Sequence, residues 1–327
     1  MRKKIFFLII AVSCLAIACK KIQEGFLSNT LRYTSSDLYC QRGLALVQSD
    51  KIYVDGSTPP ITFEMLNLRD STGGKLPAAF NTEYEITVFK AGQSFDVNTD
   101  TSIELLNKKR ETKKVTPMEF NKVSGQLTFN RASINLPLGI YNFDIQATNI
   151  RGTKFYPSFG TIHVVDPTEE DMFTLEDYVD NVFSDATGES FAVQSPKVTF
   201  TKVSAEGARI ILMITDKNGV PFNPKAGEII KRGDRPAFEN YTRFHPIEYT
   251  DTSMICDFEV APFPLAKYVD ATTDWGHLMY YRIPSNHVTV DGYAAGQYSA
   301  NPRFAFDIKL EGTFIVKFRL PDATRVP

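Results

Sequence analysis

An aromatic-rich segment near the carboxyl end, residues 268–298, is the best candidate for a binding site in this sequence. Tyrosine and tryptophan combine a broad apolar face with a polar tip, and such faces stack on the apolar C–H faces of sugar rings. Acidic, amide and guanidinium groups in the same segment supply the directional hydrogen bonds that sugar hydroxyls need. We therefore predict a non-catalytic carbohydrate site whose ligand-binding residues are Tyr268, Asp274, Trp275, Tyr280, Tyr281, Arg282, Tyr293 and Tyr298.

Trp275 is the only tryptophan of the chain and lies in a loop-like context, which favours partial exposure. By contrast, Tyr280 and Tyr281 are successive residues of a candidate strand, so one of them is expected to point inward. Core or turn packing is the alternative role for each of these aromatic residues. A Gly- and Pro-rich loop, residues 222–236, is a further candidate for the same surface.

The sequence offers no pattern for catalysis or for a cofactor. None of the four histidines stands in a His-x-x-x-His spacing, and no Cys-x-x-Cys, Gly-x-Ser-x-Gly or phosphate-loop motif is present. Residues 216–219 resemble the start of a calcium loop but lack the later glutamate, so we predict a hairpin turn there. Glycosidases use a pair of acids, and nothing singles out a pair here. We predict no enzyme activity, no cofactor and no metal.

Composition indicates a globular chain of about two domains, on a prior of roughly 100–200 residues per domain. The 327 residues are 43% hydrophobic and carry a formal charge of −2, with no basic run of the kind that binds nucleic acid. Cys40 and Cys256 fall in different predicted domains. We favour two unpaired thiols, with a disulfide between them as the alternative.

Alternating apolar and polar residues dominate the chain and predict β-strands. In the first half, Tyr141 begins an alternation that runs to Thr148, and residues 159–165 are its predicted partner strand. Residues 61–68 and 83–90 are further strand candidates. Short strands separated by turns predict an all-β chain of two β-sandwich domains. We place an Ig-like sandwich at residues 37–166 and a larger jelly-roll-like or other sandwich, holding the candidate site, at 167–327.

Two segments of the second half receive specific predictions. The alternating runs 303–310 and 314–320 lie on either side of Glu311-Gly312 and predict a tight hairpin. After Pro167, the acids at 169–171 and the spacing of Met172, Leu175, Val179 and Val182 predict a helix. A strand over residues 173–182 is the alternative.

The amino terminus has the order of a secretory signal peptide, with positive residues before an apolar run that is too short to span a bilayer. The run ends in Ala-Ile-Ala-Cys, which resembles the lipobox of bacterial lipoproteins. The resemblance implies lipidation of Cys19, with Cys14 as the alternative, and removal of residues 1–18. Loss of the three basic residues near the start changes the formal charge from −2 to −5. We interpret residues 19–36 as a tether.

Further segments resemble surface lipoproteins of Bacteroidetes. Residues 20–33 are similar to the start of such proteins, and Arg282-Ile283-Pro284, Glu311-Gly312-Thr313-Phe314 and the closing residues 320–325 resemble the domain-of-unknown-function family DUF5007. The resemblance implies an outer-membrane lipoprotein, exposed at the cell surface or on the periplasmic face. It also implies SusC/SusD-like partners in glycan uptake and an oligosaccharide or polysaccharide ligand. An adhesion or assembly protein that binds an outer-membrane protein is the alternative.

Overall fold

The protein is all-β in a computed structural model, which describes residues 25–327. Strands hold 45% and helices 7% of the chain, arranged in several separate sheets, and this confirms the predicted fold class. The predicted signal peptide and the acylation candidates Cys14 and Cys19 lie outside the described residues. Within residues 25–327, no helix is long and apolar enough to cross a membrane.

The first half contains three sheets. They have the strand orders β1-β9-β8-β3, β2-β7-β6 and β4-β5. The strands are β1 (Asp37–Gln41), β2 (Leu46–Gln48), β3 (Thr62–Asp70), β4 (Tyr84–Phe89), β5 (Arg110–Val115), β6 (Met118–Phe120), β7 (Leu127–Asn130), β8 (Gly139–Asn149) and β9 (Gly152–Val165). Helix α1 is Ile103–Lys108, and the 3-10 helices are Ala78–Asn81 and Arg131–Asn135.

The second half has two five-stranded sheets, β11-β10-β21-β19-β14 and β12-β22-β13-β16-β15, and two small ones, β17-β18 and β20-β23. Helix α2 is Glu169–Met172, and Phe238–Asn240 is a 3-10 helix. The strands are β10 (Phe173–Phe183), β11 (Ser190–Ala192), β12 (Lys197–Ser204), β13 (Ala208–Thr215), β14 (Ile230–Lys231), β15 (Glu248–Tyr249), β16 (Met254–Asp257), β17 (Tyr268–Val269), β18 (Asp274–Gly276), β19 (Met279–Arg282), β20 (Val288–Val290), β21 (Ser299–Ile308), β22 (Gly312–Arg319) and β23 (Ala323–Arg325).

The strand prediction around Tyr141 is confirmed. Strand β8 buries Tyr141, Phe143, Ile145 and Ala147, and β9 is its antiparallel neighbour through a turn after Asn149. The strands predicted at 61–68 and 83–90 correspond to β3 and β4. A polar residue, Asp144, is also buried in β8, because Asn67, Arg69 and the backbone N–H of Ser158 hydrogen-bond to its carboxylate.

The predicted hairpin at Glu311-Gly312 is wrong. Strands β21 and β22 belong to different sheets, and β22 pairs with β12 and β13 instead. The Phe304 and Phe318 rings face each other across the sandwich, stacked with centroids 3.8 Å apart. The inner faces of β21 and β22 thus cover each other. Strands in two facing sheets therefore show the same alternation of buried and exposed residues as the two strands of a hairpin.

The helix predicted after Pro167 is wrong beyond its first turn. Helix α2 ends at Met172 and the chain continues as strand β10, so the alternative over residues 173–182 is confirmed. Thr168 caps α2 by accepting a hydrogen bond from the backbone of Asp171, whose carboxylate accepts one from the backbone of Thr168. Pairing of β10 with the whole length of β21 overrides the weak three- and four-residue periodicity.

The tether predicted over residues 19–36 differs from the structure in its described part. Leu31 and Tyr33 belong to the buried core of the first half, and the backbone of Arg32 pairs with that of Tyr53. Tyr33 has 2% of its surface exposed, so residues near it pack as part of the fold. Leu31 and Tyr33 are buried because they are apolar. The polar residues 28–30 beside them make the segment resemble a solvent-exposed tether in the sequence.

Two large apolar cores lie on either side of the predicted boundary near Pro167. One is formed by residues 31–164 and the other by residues 173–323. Arg131 joins the halves, since it pairs with Glu311 and donates to the carbonyl of Ala261 at 3.1 Å. Cys40 and Cys256 are buried, free and in different cores, which confirms the favoured prediction. Independent folding of 37–166 and 167–327 stays a prediction.

Candidate functional site

Strand β19 separates two surfaces, because its successive residues Tyr280 and Tyr281 point to opposite faces. Tyr281 is 1% exposed, and its ring stacks on Phe304 inside the sandwich with centroids 6.1 Å apart. Its hydroxyl donates to Glu239 Oε2 at 3.0 Å and accepts from the backbone N–H of Phe238 at 3.0 Å. The ring of Tyr281 is therefore core, and only its hydroxyl reaches toward the first surface.

That first surface is an open cavity of about 500 Å³, which we call the Tyr249 cavity. It lies beside β14 and β19, and the loop predicted at residues 222–236 supplies most of its wall. Such a volume is within the range of about 300–1,000 Å³ that small-molecule sites occupy. Its lining residues are Pro224, Lys225, Gly227, Ile229, Ile230, Lys231, Glu239, Tyr249 and Tyr281.

Glu239 is the polar centre of the Tyr249 cavity. It accepts hydrogen bonds from the hydroxyls of Tyr249 and Tyr281, and Lys231 Nζ lies 3.9 Å from its carboxylate. Burial, followed by the bond to Glu239, raises the pKa of Tyr249 above its ordinary value. Burial and the charge of Glu239 likewise raise the pKa of Tyr281. Both phenols consequently stay protonated and act as donors at neutral pH.

Apolar and cationic groups complete this cavity. The Tyr249 side chain is 40% exposed and Ile230 is 42% exposed, so each offers apolar surface to a ligand. Lys225 and Lys231 are exposed at the same site. An aromatic face next to fixed donors, a carboxylate and ammonium groups is chemically suited to a ligand rich in hydroxyls.

Trp275 defines the second surface, on the other side of β19. Its ring makes an edge-to-face contact with Tyr280, with centroids 5.7 Å apart. The Arg235 guanidinium lies over both rings, 5.7 Å from the Trp275 centroid and 5.0 Å from that of Tyr280. Arg303 approaches the Tyr280 ring from the neighbouring strand, at 6.0 Å. Tyr280 is only 4% exposed, so Trp275 and Arg235 are the parts of this cluster that solvent reaches.

The polar tip of Trp275 is already occupied. Its indole N–H donates to Asp270 Oδ2 at 2.6 Å, and the same carboxylate accepts from the backbone N–H groups of Thr272 and Thr273. These donors, with the indole first, lower the pKa of Asp270 to about 2. A carboxylate that remains charged at any physiological pH thus fixes the orientation of the Trp275 ring.

Two of the other predicted residues belong to a third cluster. Tyr293 and Tyr298 pack on each other at 4.7 Å and on Phe191, in a separate cluster where Tyr293 is 39% exposed and Tyr298 only 4%. The Tyr298 hydroxyl donates to Glu189. The single binding surface predicted for residues 268–298 is therefore divided, and three of its five tyrosines are buried.

The remaining three residues have local partners. Arg282 pairs with Asp185 at 2.5 Å, and Asp274 is exposed with Lys267 Nζ at 3.9 Å. Tyr268 is half-buried against the core of the second half. Sequence reasoning missed Glu239 and Tyr249 as site residues, whereas Arg235 lies in the loop 222–236 that it offered for the surface of Trp275. Only the Gly- and Pro-rich composition of 222–236 pointed to this region.

One group of three possible metal ligands occurs among residues 25–327, formed by Glu176, His277 and Asp307. Burial and the neighbouring Asp307 carboxylate raise the pKa of Glu176. Close contact with the Asp307 carboxylate raises the pKa of His277. Burial acts to raise the pKa of Asp307, but contact with His277 outweighs it and lowers that pKa. The sequence did not point to this group because its members are far apart along the chain.

Comparisons with known proteins add little to this geometry. No protein-family model matches the chain, and no curated protein matches it. Among solved structures, the chain is weakly similar to a SusE-like surface located polysaccharide binding protein from the heparin utilisation locus of Bacteroides thetaiotaomicron. The two are 10% identical with a TM-score of 0.22, and the match covers 89% of this chain and 53% of the other. The chain thus spans about half the length of that protein, and a similarity at this level carries no argument for function.

Proposed function

We propose that this protein binds a glycan in the Tyr249 cavity without catalysing a reaction on it. The observation that carries the proposal is the pairing of an exposed aromatic ring, Tyr249, with a carboxylate, Glu239, in one open cavity. A sugar ring would place its apolar face on Tyr249 and its hydroxyls toward Glu239 and Lys231. Preformed contacts among these groups reduce the entropy that a ligand must offset on binding.

The composition of the cavity favours binding over hydrolysis. Glycosidases typically place two carboxyl groups on either side of the scissile bond. Glu239 is the single acidic residue among those lining the Tyr249 cavity, and two tyrosine hydroxyls hydrogen-bond to it. This arrangement suits Glu239 to accept hydrogen bonds, and it does not provide the pair of carboxyl groups that hydrolysis uses.

The amino-terminal sequence supports an envelope location for this activity. A lipid chain on Cys19 would anchor the protein to the outer membrane, since several acyl chains together hold a protein stably at a bilayer. The resemblance to Bacteroidetes lipoproteins extends the proposal to the cell surface and to SusC/SusD-like partners in polysaccharide uptake. We also propose, from the sequence resemblance, that the chain is a member of the DUF5007 family.

Affinity electrophoresis in gels that contain bacterial, plant or host polysaccharides tests glycan binding directly. We expect retention of the wild-type protein by at least one polysaccharide. Tyr249→Ala should weaken that retention about tenfold, which corresponds to about 1.4 kcal/mol. Tyr249→Phe should have a smaller effect because it keeps the ring. Tyr39→Ala is the matched control, since Tyr39 is 54% exposed on the other half of the molecule. Failure of the folded wild-type protein to bind any polysaccharide would contradict the proposal.

A specific surface favours the second candidate, an adhesion or assembly protein. Tyr39, His163 and Ile140 are cross-strand neighbours on β1, β9 and β8, and together they form a row on the four-stranded sheet. Tyr39 stacks on His163 with centroids 4.8 Å apart, and Ile140 is 43% exposed. Exposed apolar rows of this kind suit contact with another protein. Loss of a co-purifying outer-membrane protein in Tyr39→Ala, but not in Tyr249→Ala, would support this function instead.

A further inference from the structure

Three ligating side chains from distant parts of the chain converge on one side of the β10-β21 sheet. Glu176 lies at the irregularity in the pairing of β10 with β21, Asp307 lies near the end of β21, and His277 follows β18. His277 Nδ1 is 3.0 Å from Asp307 Oδ1 and 3.5 Å from Glu176 Oε2. One ligand atom from each residue lies within 4.8 Å of the others.

These spacings match the requirements of a bound cation. Zinc binds imidazole nitrogen and carboxylate oxygen at about 2.0–2.2 Å, so neighbouring ligands of a tetrahedral site lie about 3.3 Å apart. The two measured separations from His277 Nδ1, 3.0 and 3.5 Å, lie on either side of that value. Two of the three separations therefore already suit a metal ion, and the third is within 4.8 Å.

The environment of His277 positions its ring. The buried Tyr241 hydroxyl donates to the carbonyl of Leu278 at 2.8 Å and lies 3.2 Å from that of Gly276, so it holds the backbone on both sides of His277. The Tyr241 ring also contacts the imidazole edge-to-face, with centroids 6.4 Å apart. Supporting contacts of this kind orient metal-binding histidines.

Nδ1 of His277 has no well-oriented hydrogen-bond partner although it is shielded from solvent. The Asp307 carboxylate lies 3.0 Å from Nδ1, but the contact does not meet the geometry of a hydrogen bond. A buried polar atom without a partner is unfavourable. A metal ion placed between the three side chains would satisfy Nδ1 and also relieve the repulsion between the two carboxylates.

We propose that Glu176, His277 and Asp307 bind one divalent transition-metal ion, with Zn²⁺ as the preferred ion. An imidazole nitrogen favours Zn²⁺ over Ca²⁺ and Mg²⁺, which prefer oxygen ligands. Two carboxylates neutralise the charge of the ion. Glu176 is exposed, so solvent can reach the site and supply the remaining ligands.

Binding of the ion would connect the loop that carries Trp275 to the sheet. His277 is two residues from Trp275, whereas Glu176 and Asp307 belong to β10 and β21. A metal ion held by all three would restrain residues 268–278, and with them the Trp275 and Arg235 surface. This role is separate from the Tyr249 cavity and does not depend on glycan binding there.

Intrinsic fluorescence gives a local test, because Trp275 is the only tryptophan of the chain. Protein without a polyhistidine tag is titrated with Co²⁺, a paramagnetic quencher, and then with Zn²⁺ as competitor. We expect saturable quenching at one equivalent, reversal by Zn²⁺ and little competition from Ca²⁺. Calorimetry with Zn²⁺ should give the same stoichiometry and a dissociation constant in the micromolar range or tighter.

Variants separate this site from adventitious binding. His277→Gln and Asp307→Asn should each weaken Zn²⁺ binding at least tenfold. His163→Gln is the matched control, because His163 contacts only one carboxylate, that of Asp37. Circular dichroism establishes that each variant is folded. Absence of Zn²⁺ binding to the wild-type protein, or binding that is unchanged in a folded His277→Gln protein, would overturn the proposal.

Discussion

Two pairs of consecutive strands, β8–β9 and β21–β22, share an alternation of buried and exposed residues but are connected differently. Strands β8 and β9 are hydrogen-bonded neighbours whose last pair is Asn149 with Gly152, so the turn consists of the exposed Ile150 and Arg151. Strands β21 and β22 lie in opposite sheets. Their connection, residues 309–311, has the buried Leu310 at its centre.

The difference shows that alternation determines which face of a strand is buried, whereas the connection determines its partner. Packed sheets lie about 10 Å apart, and three extended residues span about that distance. A connection that crosses the core edge buries its middle side chain, as Leu310 does, while a hairpin turn leaves its residues in water. The burial of a connecting residue is therefore the feature that distinguishes the two arrangements.

The largest expected effect comes from removing a ring from one core at a time. Phe304→Ala deletes a fully buried ring that stacks on Phe306 and Phe318, and we expect it to lower the free energy of unfolding by about 4 kcal/mol. Phe143→Ala should cost a similar amount in the β8–β9 core. Chemical denaturation, followed by Trp275 fluorescence and by circular dichroism, measures both.

If the halves fold independently, Phe304→Ala moves the fluorescence transition, because Trp275 belongs to the second half. Phe143→Ala then leaves the fluorescence transition unchanged. It shifts only the part of the circular dichroism transition that comes from the first half. One shared transition that both variants shift equally would show that residues 37–166 and 167–327 unfold together. The predicted domain boundary would then not separate two units that unfold independently.

Much of the fold could be predicted from local pattern alone. The alternation around Tyr141 predicts β8 correctly because one side of that strand faces a core and the other does not. The failures have a common cause in contacts between distant residues. Leu31 and Tyr33 pack into a core formed by later strands, and β10 is a strand because β21 pairs along it.

The candidate sites were less predictable than the fold. Tyr249 lies in a two-residue strand without any alternation, and Glu239 lies in a short 3-10 helix. Trp275 was predicted to be partly exposed in a loop-like segment. It is half-buried, in contact with Asp270 and Arg235, but it lies in the short strand β18. His277 meets its two carboxylates only through the pairing of β10 with β21. Spacing motifs detect ligands that are close in sequence, so they cannot detect such a group.

The two halves can also be compared through one buried carboxylate of each, Asp180 and Asp144. The pKa values of these two groups shift in opposite directions. Asp180 of β10 is 2% exposed, and burial raises its pKa to about 7, with a smaller contribution from Asp322. Asp144 of β8 is also buried, which acts to raise its pKa. Hydrogen bonds from Asn67 and Ser158 and the charge of Arg69 outweigh that effect and lower the pKa.

Asp180→Asn should therefore remove a pH dependence of stability. In the wild-type protein, folded Asp180 holds a proton between about pH 4 and 7 that the unfolded chain has lost, so stability falls as pH rises through this window. The total is on the order of 4 kcal/mol. Asn keeps an acceptor for the backbone N–H of Asn301, so the variant should exceed the wild type in stability at pH 8.

Asp144→Asn should behave in the opposite way. A carboxylate whose pKa is lowered on folding stabilises the protein above its unfolded pKa, near 4, and loses that effect as the pH falls toward the folded value. The variant should thus be less stable than the wild type at pH 7 and similar to it at pH 2. Denaturation at both pH values provides the measurement, and equal pH profiles for the two variants would contradict the assignment.

The smallest expected effect concerns the two glycines that begin the second strand of each pair. Gly152 of β9 and Gly312 of β22 have nearly the same backbone φ, +150° and +149°, a region that side chains rarely adopt. Their surroundings differ. A Cβ at Gly152 meets nothing within 4 Å, whereas one at Gly312 would lie 2.9 Å from the Phe314 ring and 2.9 Å from the carbonyl oxygen of Ser204.

Alanine at these positions separates backbone strain from crowding. Gly152→Ala should lower the free energy of unfolding by about 1 kcal/mol through strain alone. Gly312→Ala adds overlap with a backbone atom that cannot rotate away, and it should cost about 2 kcal/mol more. Thermal unfolding of the two variants measures the difference. Equal losses would mean that the chain entering β22 can move away from Ser204, and that the approach of β22 to β12 does not require a glycine. A larger loss at Gly312 would instead show that the inter-sheet connection, unlike the exposed turn before Gly152, requires a glycine at its end.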